Sequence, residues 1–129
     1  MAMRILAALF IDTIDLRPVA GPSTRIDLGG IKFSEVPPDG YPATIEPHLV
    51  VLVHNPPDGE PDSVLEVTYW IAGEQVARNV QPLQVEPGKF NYRLVRAELT
   101  VEGPATVEAH VRIGQDEPTV VPLTLLPTA

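Results

Sequence analysis

Hydrophobic residues along this chain recur mostly at every second position, in short runs cut by Pro, Gly and Asp. A period of two sends successive side chains to opposite faces of an extended backbone, so these runs predict strands rather than helices. His48-Leu-Val-Val-Leu-Val-His54 departs from the alternation, being apolar almost throughout and rich in β-branched residues. β-branching restricts χ1 in a helix, and the run falls well short of the ~20 residues that cross a bilayer. It predicts a central strand covered on both faces, around which the other runs are organised.

In chain order, Ile5 to Ile14 predicts a buried first strand, and Leu16 to Thr24 a loop. Between Arg25 and Ser34 the apolar phase changes from Ile26 and Leu28 to Ile31 and Phe33 across Gly29-Gly30, which predicts a bulge or a close backbone crossing. Val36-Pro-Pro-Asp-Gly-Tyr-Pro42 is echoed by Asn55-Pro-Pro-Asp-Gly-Glu-Pro61. Because Pro fixes φ and Asp bonds its own backbone, the echo predicts one turn chemistry used twice, with positive φ at the glycine, rather than a pair of binding loops. From Ser63 to Gly73, Leu65, Val67, Tyr69 and Ile71 share one face while Glu66, Thr68 and Trp70 share the other. Gln75 to Val80 predicts an edge strand after a turn at Gly73-Glu74.

Phe90 to Glu102 predicts one strand with Val95, Ala97, Leu99 and Val101 inward. Thr106 to Ile113 predicts another, with Glu108, His110 and Arg112 outward. Pro118 to Leu126 closes the fold, and Pro122, which cannot donate a ladder hydrogen bond, places that strand at an edge or bulge. The whole is predicted to be all-β: a single domain over 1–129, an immunoglobulin-like Greek-key β-sandwich of about seven to nine strands.

Two stretches carry a resemblance. From Thr44 onward, with Pro87-Gly88-Lys-Phe-Asn-Tyr92 opening one late strand and Gly103-Pro-Ala-Thr-Val-Glu-Ala-His-Val111 turning into the next, the chain resembles an immunoglobulin-like or fibronectin-type-III-like sandwich without the disulfide. Leu6-Ala-Ala-Leu-Phe-Ile-Asp12 followed by Arg25-Ile-Asp-Leu-Gly-Gly-Ile31 is similar to the opening of an uncharacterised family of small single-domain bacterial proteins. The resemblance implies a sandwich and a bacterial source, and it carries no activity.

Composition narrows the partners. At 129 residues and 44% hydrophobic content the chain can bury a core without disulfides or metals. Nine Lys and Arg against 17 Asp and Glu give a net charge of −8, which repels a phosphate backbone and gains little at an anionic bilayer. Neither nucleic acid nor membrane is an expected partner. The absence of Cys removes disulfides, thiolate catalysis and Cys-ligated zinc. One Arg precedes the seven apolar residues Ile5–Ile11, but Asp12 follows at once with no small-x-small cleavage site. The start therefore reads as a cytoplasmic strand rather than a secretory signal.

The candidate chemistry thins out on inspection. His48 and His54 share a strand face but lie roughly 20 Å apart at strand rise, too far to bind one ion. His110 beside Glu108 and Arg112 has the makings of an acid–base group, yet an ordinary solvated ion-pair row accounts for the same residues. Asp12, Asp15, Asp27, Asp39, Asp58 and Asp62 offer the oxygen ligands calcium takes, without the Asp-x-Asp-x-Asp rhythm of a dedicated loop. No glycine elbow or phosphate loop occurs. Catalytic residues, cofactor and metal are therefore all expected to be none.

What remains is a surface. Trp70, His110, Arg112, Val120 and Thr124 are predicted to share the outer face of one sheet, where Trp and Arg favour an interface. That predicts a non-catalytic protein-interaction or assembly module, self-associating as a two-fold homodimer. Two alternatives stand beside it. Trp70 is equally compatible with burial, under the Pro-rich loops or after a phase shift at a bulge. A carbohydrate-binding module would use Trp70 with Tyr69 or Tyr41 as stacking platforms.

Overall fold

A computed structural model describes residues 2–17 and 25–128; the expected loop therefore lies outside the described residues from position 18 to 24. The chain is all-β and sandwich-like. One sheet has three strands, β1 (Arg4–Ile11), β6 (His48–His54) and β9 (Phe90–Arg96), in the order β1-β6-β9. The other has five, in the order β4 (Ser34–Glu35), β12 (Thr119–Leu125), β11 (Ala105–Ile113), β7 (Asp62–Ile71) and β8 (Glu74–Gln84). β5 (Ala43–Ile45) pairs with β10 (Leu99–Val101), and β2 (Thr13–Arg17) with β3 (Arg25–Gly29). No helix forms among the described residues, so none is long and apolar enough to cross a membrane.

The described residues form twelve strands, more than sequence periodicity predicts. The surplus is the short β4, β5 and β10 and the β2–β3 ribbon. Their pairings last two to five residues, too short for alternation to register.

The core lies between the inner faces of the two sheets. Ala8 and Phe10 of β1, Leu49, Val51 and Val53 of β6 and Val95 of β9 meet Leu65, Val67 and Tyr69 of β7 and the alternate residues Val107 to Ile113 of β11. Burying one such aliphatic side chain is worth about 2 kcal/mol. β6 sits centrally in its sheet, and Leu49, Val50, Val51 and Val53 are all fully buried. Its lost alternation thus reflects burial on both faces.

Three expectations change on contact with the structure, and the double glycine takes one of the two forms expected of it. The predicted strand from Phe90 to Glu102 is two strands: β9 pairs with β6 up to Arg96, and β10 pairs with β5 from Leu99. Alternation persists across the break because Val95, Leu99 and Val101 all remain buried while the hydrogen-bonded neighbour changes. The first strand extends past Ile14 to Arg17 as β2. Its ladder with the 25–32 segment keeps one register from Phe10–Lys32 to Arg17–Arg25, with the Asp12 N–H shared between the Gly29 and Gly30 carbonyls at 3.0 Å each. The double glycine is a close crossing: the Asp12 carboxylate fills the space a Gly30 Cβ would need, and Gly30 has φ +64°. Phe33, counted among the alternating apolar residues, is 75% exposed.

The echoed segments make the same turn. Gly40 N–H donates to Pro37 O at 3.3 Å and Gly59 N–H to Pro56 O at 2.9 Å. Gly40 takes the positive φ expected of it, but Gly59 does not. Gly59 is needed for another reason, because Asn55 Oδ1 occupies the place of its Cβ. Fully buried Asn55 donates through Nδ2 to Glu60 O and Val85 O, at 2.9 and 2.8 Å, and so ties down the chain between the two sheets.

Candidate functional site

The outer face of the five-stranded sheet is built from alternate residues of four strands. Antiparallel pairing sets Trp70, Thr68 and Glu66 of β7 opposite Glu108, His110 and Arg112 of β11. On the far side of β11, Val120 lies opposite His110 and Thr124 opposite Thr106, while β8 places Arg78 opposite Thr68. Trp70, His110, Arg112, Val120 and Thr124 therefore all stand on this one face. Trp70, His110 and Val120 lie close together; Thr124 lies farther along β12, with its hydroxyl 3.4 Å from that of Thr106.

Trp70 is half-buried and held rather than loose. Its Nε1–H donates to Thr68 Oγ1 at 2.8 Å, and its ring stacks on His110 with centroids 5.3 Å apart and planes 28° from parallel. His110 Nε2 in turn lies 3.3 Å from Glu108 Oε1. The register does shift beside Trp70, but the extra residue is Val76 on β8. Pairing with β11 continues unbroken, so Trp70 keeps its outward phase. Shallow grooves of about 310 Å³ each flank it, one towards Gln75, Arg78 and Arg112, the other towards Ala72, Thr106 and Glu108.

Beside Trp70 lies an ion triad. Arg78 Nη2 reaches Glu66 Oε2 at 2.7 Å and Arg112 Nη2 reaches Oε1 at 2.9 Å. The hydrogen bond from Arg78, with the charge of Arg112 behind it, holds the Glu66 carboxyl below the ordinary carboxylate range. Two guanidiniums on one carboxylate leave an excess positive charge here, on a chain whose net charge is −8. Arg112 Nε–H is buried with no acceptor. Sequence reasoning put Glu66 and Thr68 on the face of Trp70 but missed Arg78 and the triad. Alternation fixes a face, whereas only register says which cation meets which carboxylate.

The remaining candidates are scattered. Tyr69 is a core residue with no exposure, so it cannot be a stacking platform; its burial also pushes the phenol pKa upward. Tyr41 is half-buried and donates its hydroxyl to Leu126 O at 2.7 Å. His48 and His54 sit at opposite ends of β6, the first 3.8 Å from Glu46 and the second with its ring 4.7 Å from that of Phe90. Asp12 pairs with Lys32 at 2.7 Å, Lys32 with Glu35 at 3.1 Å, and Asp27 with Arg17 and Arg25. The hydrogen bond to Asp12 raises the Lys32 pKa against the opposing effect of burial. Among the described residues no group of three or more His, Asp or Glu is placed to hold a metal ion. A pocket of about 290 Å³ at the end of the sandwich is bordered by Asp12, Lys32, Glu35, Glu46 and His48; Lys32 bridges Asp12 and Glu35, and Glu46 lies 3.8 Å from His48.

Compared with protein-family models and with curated proteins, the chain matches none.

Proposed function

We propose that this chain is a non-catalytic interaction or assembly module on an immunoglobulin-like Greek key, and that it self-associates through the outer face of the five-stranded sheet. Support for the topology comes from the strand order: the chain crosses from the three-stranded to the five-stranded sheet between β6 and β7, returns between β8 and β9, and crosses again before β11. Support for the function rests on one observation, the fixed and half-buried Trp70 on the outer face of the sheet. A held aromatic loses little rotamer freedom on binding, and Trp and Arg are the residues that dominate interface energetics. Val120 beside His110, and Val80 and Val64 farther along the strands, each close to half exposed, add apolar area to the same face.

Solution mass across a concentration series tests the reading. Wild type is expected to be dimeric and Trp70→Ala monomeric with its fold intact; a wild type that stays monomeric at high concentration overturns it. The two grooves flanking Trp70, lined by Gln75, Arg78, Thr106 and Glu108, favour one alternative, a carbohydrate-binding module with Trp70 as its platform. Saturable quenching of Trp fluorescence by glycans, with a monomeric wild type, would select that alternative.

A further inference from the structure

The charges on this face are unevenly distributed along the strands. Towards the 114–118 end lies the Arg78–Glu66–Arg112 triad, itself net positive, with the exposed Asp116 and Glu117 in the turn beyond it. Towards the other end of β11 lies Glu108, half exposed, with only neutral-capable His110 as its neighbour at 3.3 Å. Trp70 sits at this acidic end, directly opposite Glu108. Arg112 and Glu66 form one row and Glu108 and Trp70 another, with Thr68, His110 and the backbone of Arg78 in the row between, from which the Arg78 guanidinium reaches back to Glu66.

Resting on the self-association proposed above, we infer that the partner is a second copy turned about a two-fold axis that runs across the strands beside Thr68 and His110, so that the Glu108–Trp70 end of each copy covers the Arg78–Glu66–Arg112 end of the other. Charge complementarity selects this arrangement. An axis parallel to the strands would set triad against triad, excess positive charge against excess positive charge. Turned across the strands, each β11 lies antiparallel over its copy, and the four-residue separation of Glu108 and Arg112 is matched by the same separation reversed. Arg112 then faces the Glu108 carboxylate of the other copy, and the Trp70 ring lies over Glu66 with the two guanidiniums bound to it, within reach of a cation–π contact. Both guanidiniums keep N–H donors beyond those spent on Glu66. Face-to-face sheets pack with their strands aligned within about 30°, which this axis permits.

Charge reversal in trans tests the arrangement. Glu108→Arg leaves the triad intact and is expected to unfold thermally at a temperature close to wild type, whereas Arg112→Glu sets a second carboxylate opposite Glu66 and is expected to unfold somewhat lower while remaining folded at the assay temperature. Each alone sets like charges together twice per dimer and should weaken dimerisation about tenfold or more. Mixed one to one, the two variants present opposite charges at both contacts, and a heterodimer should return at near wild-type affinity, read by light scattering or native mass spectrometry. If Glu108→Arg dimerises as wild type does while Trp70→Ala does not, the orientation is wrong and the face is right. If both variants are monomeric and their mixture is monomeric too, the orientation is likewise overturned. A monomeric wild type removes both this inference and the reading beneath it.

Discussion

Val50 and Thr68 both point away from the core, each from a strand with neighbours on both sides, yet Val50 has no exposed surface and Thr68 remains half-exposed. Around Val50 the register assembles large or apolar neighbours: Leu9 and Leu94 lie directly opposite, and Ala7, Leu52 and the Tyr92 ring form the next row. Around Thr68 it assembles His110 and Arg78, with Glu66 and Trp70 on either side. The first face satisfies its central strand by packing, the second by hydrogen bonds and ion pairs that keep their donors and acceptors at the surface. The two outer faces of one sandwich are thus stabilised by different means. The apolar face of the three-stranded sheet buries Val50 and Ile11, whereas the polar face holds its one large aromatic half-exposed and hydrogen-bonded.

Matched substitutions would break that contrast most directly. Val50→Asp is expected to cost about 4 kcal/mol or more, because it buries an unpaired carboxylate, while Thr68→Asp stays within about 1 kcal/mol. Urea unfolding of both variants measures the difference, and similar losses at the two positions would end the contrast. Next in size comes Asn55→Ala, at the link that carries the chain from one sheet to the other. Removing Nδ2 strands the Glu60 and Val85 carbonyls, at a cost of about 2–3 kcal/mol.

Smaller effects sharpen the polar side. The Glu66 carboxyl titrates below its ordinary value of 4.5, held there chiefly by Arg78. A depressed carboxyl contributes stability that is fully present above that ordinary value and is lost as the pH falls through the folded-state value. Wild type should therefore lose stability below about pH 4.5 more steeply than Glu66→Gln, with the two curves converging at the acid end; parallel curves would mean the triad contributes nothing. The smallest effect is expected one residue before Trp70, on the opposite face of the same strand. The fully buried hydroxyl of Tyr69 has no hydrogen-bond partner, so Tyr69→Phe should change stability by no more than about 1 kcal/mol, in the stabilising direction. A large loss in that variant would show that the hydroxyl is satisfied in solution.

Much of this architecture was legible residue by residue. The period of two in β7 and β11 set Trp70, Glu66 and Thr68 apart from Leu65, Val67 and Tyr69, and His110 apart from Val107 and Val111. The uninterrupted apolar run of β6 marked the strand buried on both faces. Less was legible where a strand changed partner, as between Arg96 and Leu99, since burial alternates on through such a change. Phe33 illustrates the opposite failure: apolar identity and even spacing do not guarantee a neighbour, and here it has little. The triad on Glu66 lay out of reach as well, because Arg78, Glu66 and Arg112 come from three strands and meet only through two separate registers.

By itself, then, the sequence determined which residues are extended, which side of each long strand is apolar, and that no cysteine or basic surplus directs the chemistry. Those properties are local: they follow from the two-residue repeat of an extended backbone and from composition. Tertiary structure alone decided that Trp70 stacks on His110 rather than entering the core, that two arginines share one carboxylate, and that this triad and the Glu108–Trp70 pair stand in separate rows of the outer face. These depend on the pairing of strands distant in the chain, where a slip of one residue would exchange one face for the other.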